Sequence, residues 1–149
     1  MDNRLRLICR ELRKMTSSQA ADWIIETYPL DNPRYGEAFR LISHRSWKRA
    51  DQIRLAAYYF QNIPYANPEG YEAFASFMSV RVLVKITQEN LPIDKRKNDL
   101  LLYYLLPVLK KAAKTESDHE LIKSLIANLD SGDMRYMAWY NKEIAGSHQ

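Results

Sequence analysis

One cysteine, four glycines and no long apolar run set the first limits on this chain. With Cys9 alone, no intrachain disulfide can form, and a reducing cytoplasm is the expected setting. The glycines and the six prolines fall mostly near segment ends. They are too few for an all-β fold with many turns or for a disordered chain. The longest apolar run, Leu100 to Leu109, is too short to span a bilayer. Arg4, Arg6 and Arg10 interrupt what would be the apolar centre of a secretory signal, so none is expected.

Recognisable chemistry is equally scarce. His44, His119 and His148 are scattered, and none stands at ligand spacing from Cys9 or a carboxylate, so there is no zinc signature. Asp130-Ser131-Gly132-Asp133 is too short for a calcium loop and reads as a turn. No glycine-rich phosphate loop, nucleophile elbow or kinase residue set occurs. The expectation is therefore no catalytic residue, no metal site and no cofactor: not an enzyme.

What is present is helical. The 149 residues are 46% hydrophobic and 27% charged, which suits one domain with a real core over 1–149, its last residues, 146–149, being disordered. Residues 3–15 read as a basic amphipathic helix with Leu5, Ile8, Leu12 and Met15 on one stripe. Ser17 or Ser18 caps a second helix to about Tyr28, and a third runs from Pro33 to about Ser43. Ser46 caps a fourth to about Asn62, with Ala50, Ile53, Ala57 and Phe60 inward. A fifth spans Pro68 to about Gln88. Its Val80–Ile86 stretch alternates like a strand, but no second strand exists to pair with it. A sixth lies within 94–114, strained or split at Pro107. A capping box at Ser117-Asp118-His119-Glu120 opens a seventh helix to about Leu129, and Asp133 starts a last one to about Ala145. The fold class is thus all-α: seven or eight helices, as a bundle or a short stack of α-hairpins of the HEAT or TPR kind.

One internal similarity favours the stack. Asn32-Pro33-Arg34-Tyr35-Gly36-Glu37-Ala38-Phe39 recurs 35 residues later as Asn67-Pro68-Glu69-Gly70-Tyr71-Glu72-Ala73-Phe74, with five of eight positions identical. That spacing is the length of a two-helix solenoid repeat. Each shared residue also has a capping or packing role at a helix start, so two independent helix starts are the preferred explanation.

Net charge is +4 and is unevenly placed. Bands at 4–14, 40–54 and 95–114 are basic, while 16–39 and 115–149 are acidic. Such bands either pair within the fold or face an anionic partner. On the fourth helix, Trp47, Asp51, Arg54 and Tyr58 share a face, with Arg49 beside it. In the Tyr58-Tyr59 and Tyr103-Tyr104 doublets one ring of each points near the surface. On one continuous fifth helix, Arg81 and then Lys85 interrupt an apolar face formed by Phe74, Phe77 and Met78, where cations need a partner.

Tyr, Trp and Arg dominate protein-binding hot spots. The sequence therefore predicts a non-enzymatic protein–protein interaction module: an adaptor, an inhibitor, or a toxin-neutralising immunity protein acting by surface occlusion. The expected contacts are Trp47, Arg49, Arg54, Tyr58, Arg81 and Lys85. The alternative is RNA or DNA binding through the three basic bands. No membrane partner is expected, and oligomeric state is open.

Overall fold

Local capping starts the chain. In the computed structural model, which describes residues 1–130, 132 and 134–146, Asp2 accepts the Leu5 N–H at 2.8 Å and caps α1 (Asn3–Lys14). Leu5, Cys9 and Leu12 form its buried stripe. The cap of α2 (Ser17–Thr27) is Thr16, one residue earlier than expected. Its hydroxyl accepts the Gln19 N–H and the Gln19 side chain accepts the Thr16 N–H, both at 3.1 Å. That leaves Ser17 buried and free to accept the Lys48 N–H at 3.0 Å.

The twin segments begin alike and diverge. Asn32 accepts the Arg34 N–H at 2.8 Å, and Asn67 accepts the Glu69 N–H at 2.9 Å. After Asn67 the chain enters α5 (Glu69–Ala75) at once. After Asn32 it first makes tighter turns, Tyr35 N–H to Asn32 O and Glu37 N–H to Arg34 O at 2.9 Å each. So α3 (Glu37–Ile42) is shorter than the predicted third helix, and α4 (Arg49–Tyr59) starts after Ser46. The buried side of α4 is Asp51, Leu55, Ala56 and Tyr59. Ala50, Ile53 and Ala57, expected inside, are exposed; of the predicted set only Phe60 is buried.

The predicted fifth helix is two helices. It stops at Ala75 and restarts as α6 (Val80–Glu89), which Ser79 caps by accepting the Val82 N–H at 3.2 Å. The strand-like stretch is therefore helical. The new start resets the angular phase, so Arg81 and Lys85 lie on the exposed side of α6 and no longer interrupt an apolar face. In α7 (Asn98–Ala112), Pro107 sits inside the helix without splitting it, facing outward. Thr115, not Ser117, caps α8 (Glu116–Leu129), accepting the Asp118 N–H at 3.1 Å. The last helix is α9 (Arg135–Gly146). Gly146 thus belongs to a helix, while the predicted start at Asp133 and the disorder expected at 147–149 lie outside the described residues. Among the described residues the fold is all-α, with nine helices and no strand.

These helices stack with a regular register. Arg4 reaches Glu37 at 2.8 Å and Arg13 reaches the His44 carbonyl at 3.3 Å, so α1 and α3 run parallel. Ser17 with Lys48, Asp22 with Arg54 at 2.6 Å, and the Tyr28 carbonyl with the Tyr59 hydroxyl at 2.8 Å align α2 and α4 in the same way. Asp99 with Tyr136 at 2.8 Å and Lys110 with Glu143 at 3.4 Å align α7 and α9. Each of these links joins residues 31 to 37 positions apart. The odd-numbered helices pack as one layer, and α2 on α4 and α6 on α8 form the other. This is the arrangement of stacked α-hairpins, and it extends the 35-residue spacing well beyond the eight repeated residues.

An aromatic cluster holds the centre. Phe39 of α3 meets Phe74 of α5 edge-on at 6.1 Å, so the two Phe residues of the twin segments touch each other. Tyr59, Phe60, Tyr65 and Tyr71 complete the cluster. Fully burying each such ring contributes about 2–3 kcal/mol. Their hydroxyls are satisfied: Tyr65 donates to the Tyr59 carbonyl at 2.6 Å, and Tyr71 accepts the Tyr65 N–H at 3.0 Å.

Candidate functional site

The odd-numbered layer carries a groove of about 1020 Å³. Its floor is α7 and its walls are α5 and α9. The local sequence explains the floor. On α7, Leu102, Leu105, Leu106 and Leu109 turn into the core, which leaves Tyr103, Pro107 and Lys111 on the outer side. The Tyr103 ring is 61% exposed and stands edge-on to Tyr104 at 4.9 Å. One ring of the doublet thus faces out, as helix geometry requires.

The α9 wall is held by polar links. Arg135 pairs with Asp99, and the Tyr136 hydroxyl bonds the Asp99 carboxylate at 2.8 Å. The Arg135 guanidinium also lies over the Tyr136 ring at 4.8 Å. Deeper, the Tyr140 hydroxyl and His119 Nδ1 of α8 are 2.5 Å apart. Burial, with the Asp118 and Glu116 carboxylates nearby, pushes the Tyr140 phenol up to about 12. Tyr140 therefore closes the core, while Tyr136 and Trp139 on the same helix line the groove. The α5 wall contributes Pro68, Glu72, Ala75 and Ser76.

The groove is apolar and aromatic. Among the described residues its charged members are Glu72, Lys111 and Arg135, and neither Glu72 nor Lys111 makes an ion pair there. Among the described residues its lining holds no histidine, no cysteine and no carboxylate pair. Among the described residues no cluster of His, Cys, Asp and Glu is placed to hold a metal ion. No helix there is long and apolar enough to cross a membrane. What such a lining can do is bury apolar side chains of something laid along it.

The residues predicted from sequence lie elsewhere. Trp47 is 7% exposed and donates its ring N–H to the Ile42 carbonyl at 2.9 Å, so it is a core residue. Tyr58 is half-buried and accepts the Leu30 N–H at 3.0 Å. Arg54 is exposed but committed to Asp22 at 2.6 Å, Asp51 at 3.6 Å and the Ser18 carbonyl at 3.1 Å. That face of α4 stitches α4 to α2 and is not a free surface. Arg81 and Lys85 are exposed on α6, and Arg81 reaches the Ser117 hydroxyl at 3.5 Å. Arg49 is exposed at the start of α4. The structure does not bring these six together. The basic bands partly pair with the acidic ones, as Arg4 with Glu37, Arg54 with Asp22 and Lys110 with Glu143 show. The groove residues escaped the sequence reading because they come from three helices; the Tyr103-Tyr104 doublet indicated only that one of its rings lies near the surface.

Comparison of the chain with known protein families, with curated proteins and with solved structures gave no match.

Proposed function

We propose that the protein is a non-enzymatic protein-interaction module that receives an amphipathic helix of a partner in the α5–α7–α9 groove. An adaptor or an inhibitor would work this way, and so would a toxin-neutralising immunity protein that occludes its target. The reading rests on one observation: an apolar, aromatic groove of about 1020 Å³ that is open to solvent. Its floor, α7, is 15 residues long, or about 22 Å. That matches a helix docking through anchors at i, i+4 and i+7. Glu72 on one wall and Lys111 on the floor supply opposite charges that set the partner's direction. A cytoplasmic setting belongs to the same reading, since a lone buried thiol such as Cys9 is at home there.

The anchors differ from those predicted by sequence. Trp139 and Tyr103 take the place of Trp47 and Tyr58, whose polar atoms are already engaged in the fold. Truncating an aromatic anchor typically costs about 2 kcal/mol, or roughly thirtyfold in affinity. The test is a side-by-side capture from the native host with wild type, Tyr103→Glu and Trp139→Ala, each first checked for unchanged helical content. A protein retained by wild type and lost by both groove variants is the expected result. If both variants retain every partner of the wild type, the groove is not the binding site.

A further inference from the structure

We propose that the exposed cations of α1 and of the turn from α3 into α4 form a second surface, one that docks the phosphate backbone of double-helical nucleic acid. Arg6, Arg10 and Arg13 recur at i, i+4 and i+7 on the exposed side of α1, over about 10 Å of helix. None of them has a carboxylate partner among the described residues. The fold then brings the second basic band against the first. Arg13 Nε donates to the His44 carbonyl at 3.3 Å. The Arg45 guanidinium donates to the carbonyls of Leu12 at 2.7 Å and Met15 at 3.2 Å. Ser17 accepts the Lys48 N–H at 3.0 Å, which sets Lys48 and Arg49 beside the end of α1. Carbonyl acceptors do not neutralise a cation, so Arg13 and Arg45 keep their full charge. The acids nearest them in sequence are engaged elsewhere: Glu11 is paired with Lys14 at 3.2 Å, the buried Asp51 lies 3.6 Å from Arg54, and Asp2 accepts the Leu5 N–H as the cap of α1. The third basic band takes no part: it lies on α7 and the turn before it, where Arg96 pairs with Asp94 and Lys110 with Glu143.

The chemistry favours phosphate over an acidic protein. Protein interfaces centre on desolvated aromatic and apolar anchors. Here the one aromatic, Trp47, is buried beneath the Arg45 guanidinium at 4.7 Å. The exposed Leu7 stands about 60° or more around α1 from each of the three arginines. The same lack of an exposed ring removes the stacking platform that single strands use, which leaves the duplex. Contacts made only to phosphate fix position and carry no base sequence.

The probe is a short labelled duplex of mixed sequence, made once as DNA and once as RNA, titrated by fluorescence anisotropy over about 50–200 mM salt. Five phosphate contacts give a log–log salt slope of about −4.5 for whichever duplex binds, and the tighter one identifies the source. The triple variant Arg6→Ala, Arg10→Ala, Arg13→Ala reduces that slope by about 3, and Lys48→Ala with Arg49→Ala reduces it by about 2. Lys95→Ala with Lys97→Ala removes as much charge from the third band and leaves binding unchanged. All seven side chains are exposed, so native helical content is expected throughout; should the triple variant unfold, the Lys48/Arg49 pair decides. Absence of binding to both duplexes at the lowest salt overturns the proposal. Equal loss in the Lys95/Lys97 variant does so too, since charge alone would then explain binding. Competition by polyglutamate as effective as by duplex also overturns it, in favour of an acidic protein.

Discussion

At Gly70 a single hydrogen atom separates a packed centre from a crowded one. A Cβ there would fall 2.6 Å from Tyr65 Cε2 and 2.9 Å from Phe39 Cε2. Both rings belong to the buried aromatic cluster, so neither can swing aside cheaply. Gly70→Ala is expected to destabilise the protein by about 1–3 kcal/mol, as overpacked cores do. Gly36→Ala is the control, because nothing lies within 4 Å of its Cβ position. Urea unfolding of the two variants checks this; equal stability would mean that the Tyr65 ring is loosely held. Trp47 carries the same lesson. Its chemistry, an amphipathic ring beside arginines, reads equally as a hot spot or as core, and only the Ile42 carbonyl waiting for its N–H decides.

Helix ends were more legible than helix faces. Caps act within four residues, so Thr16 and Thr115 lie one or two residues from the predicted caps, whereas the start capped by Ser79 falls inside what was read as one helix. Because the capping bonds run through Thr16 and not Ser18, Thr16→Ala is expected to cost about 1 kcal/mol and Ser18→Ala close to nothing. A thermal melt comparing the two would reverse this assignment if Ser18→Ala proved the more damaging. Faces are harder. The α4 sequence has apolar residues on two sides, Ile53 and Ala57 on one and Leu55, Ala56 and Tyr59 on the other, so periodicity alone does not choose. The break at Ser76–Ser79 mattered more still. Read as one helix, α5 and α6 put Arg81 in an apolar face; read as two, they put it in solvent.

Across the whole molecule the stack distributes buried tyrosines from the centre to the α8–α9 end. Burial raises the phenols of Tyr59 and Tyr65, and pushes Tyr71 and Tyr140 up to about 12. A raised folded value means that the unfolded chain loses the proton first. Stability is therefore intact below the ordinary value of 10 and falls as pH rises from there toward 12. Absorbance of tyrosinate and far-ultraviolet circular dichroism, followed together, should show these groups ionising as the helices melt. Full ionisation of all ten tyrosines with helix content unchanged would contradict their burial.

The sequence by itself determined the class of fold, since helix propensity, capping and turn residues are properties of neighbours along the chain. It also held two Asn-Pro starts 35 residues apart, which by themselves read more readily as two unrelated helix starts; the contact of Phe39 with Phe74 gives that spacing its meaning. Tertiary structure alone decided which surfaces stay free. Arg54 and Tyr58 were absorbed by contacts to Asp22 and Leu30, residues 32 and 28 positions away. Tyr103, Trp139 and Glu72 were gathered from three helices into one groove. Those outcomes depend on how helices two apart pack on one another, a long-range term that no local pattern encodes.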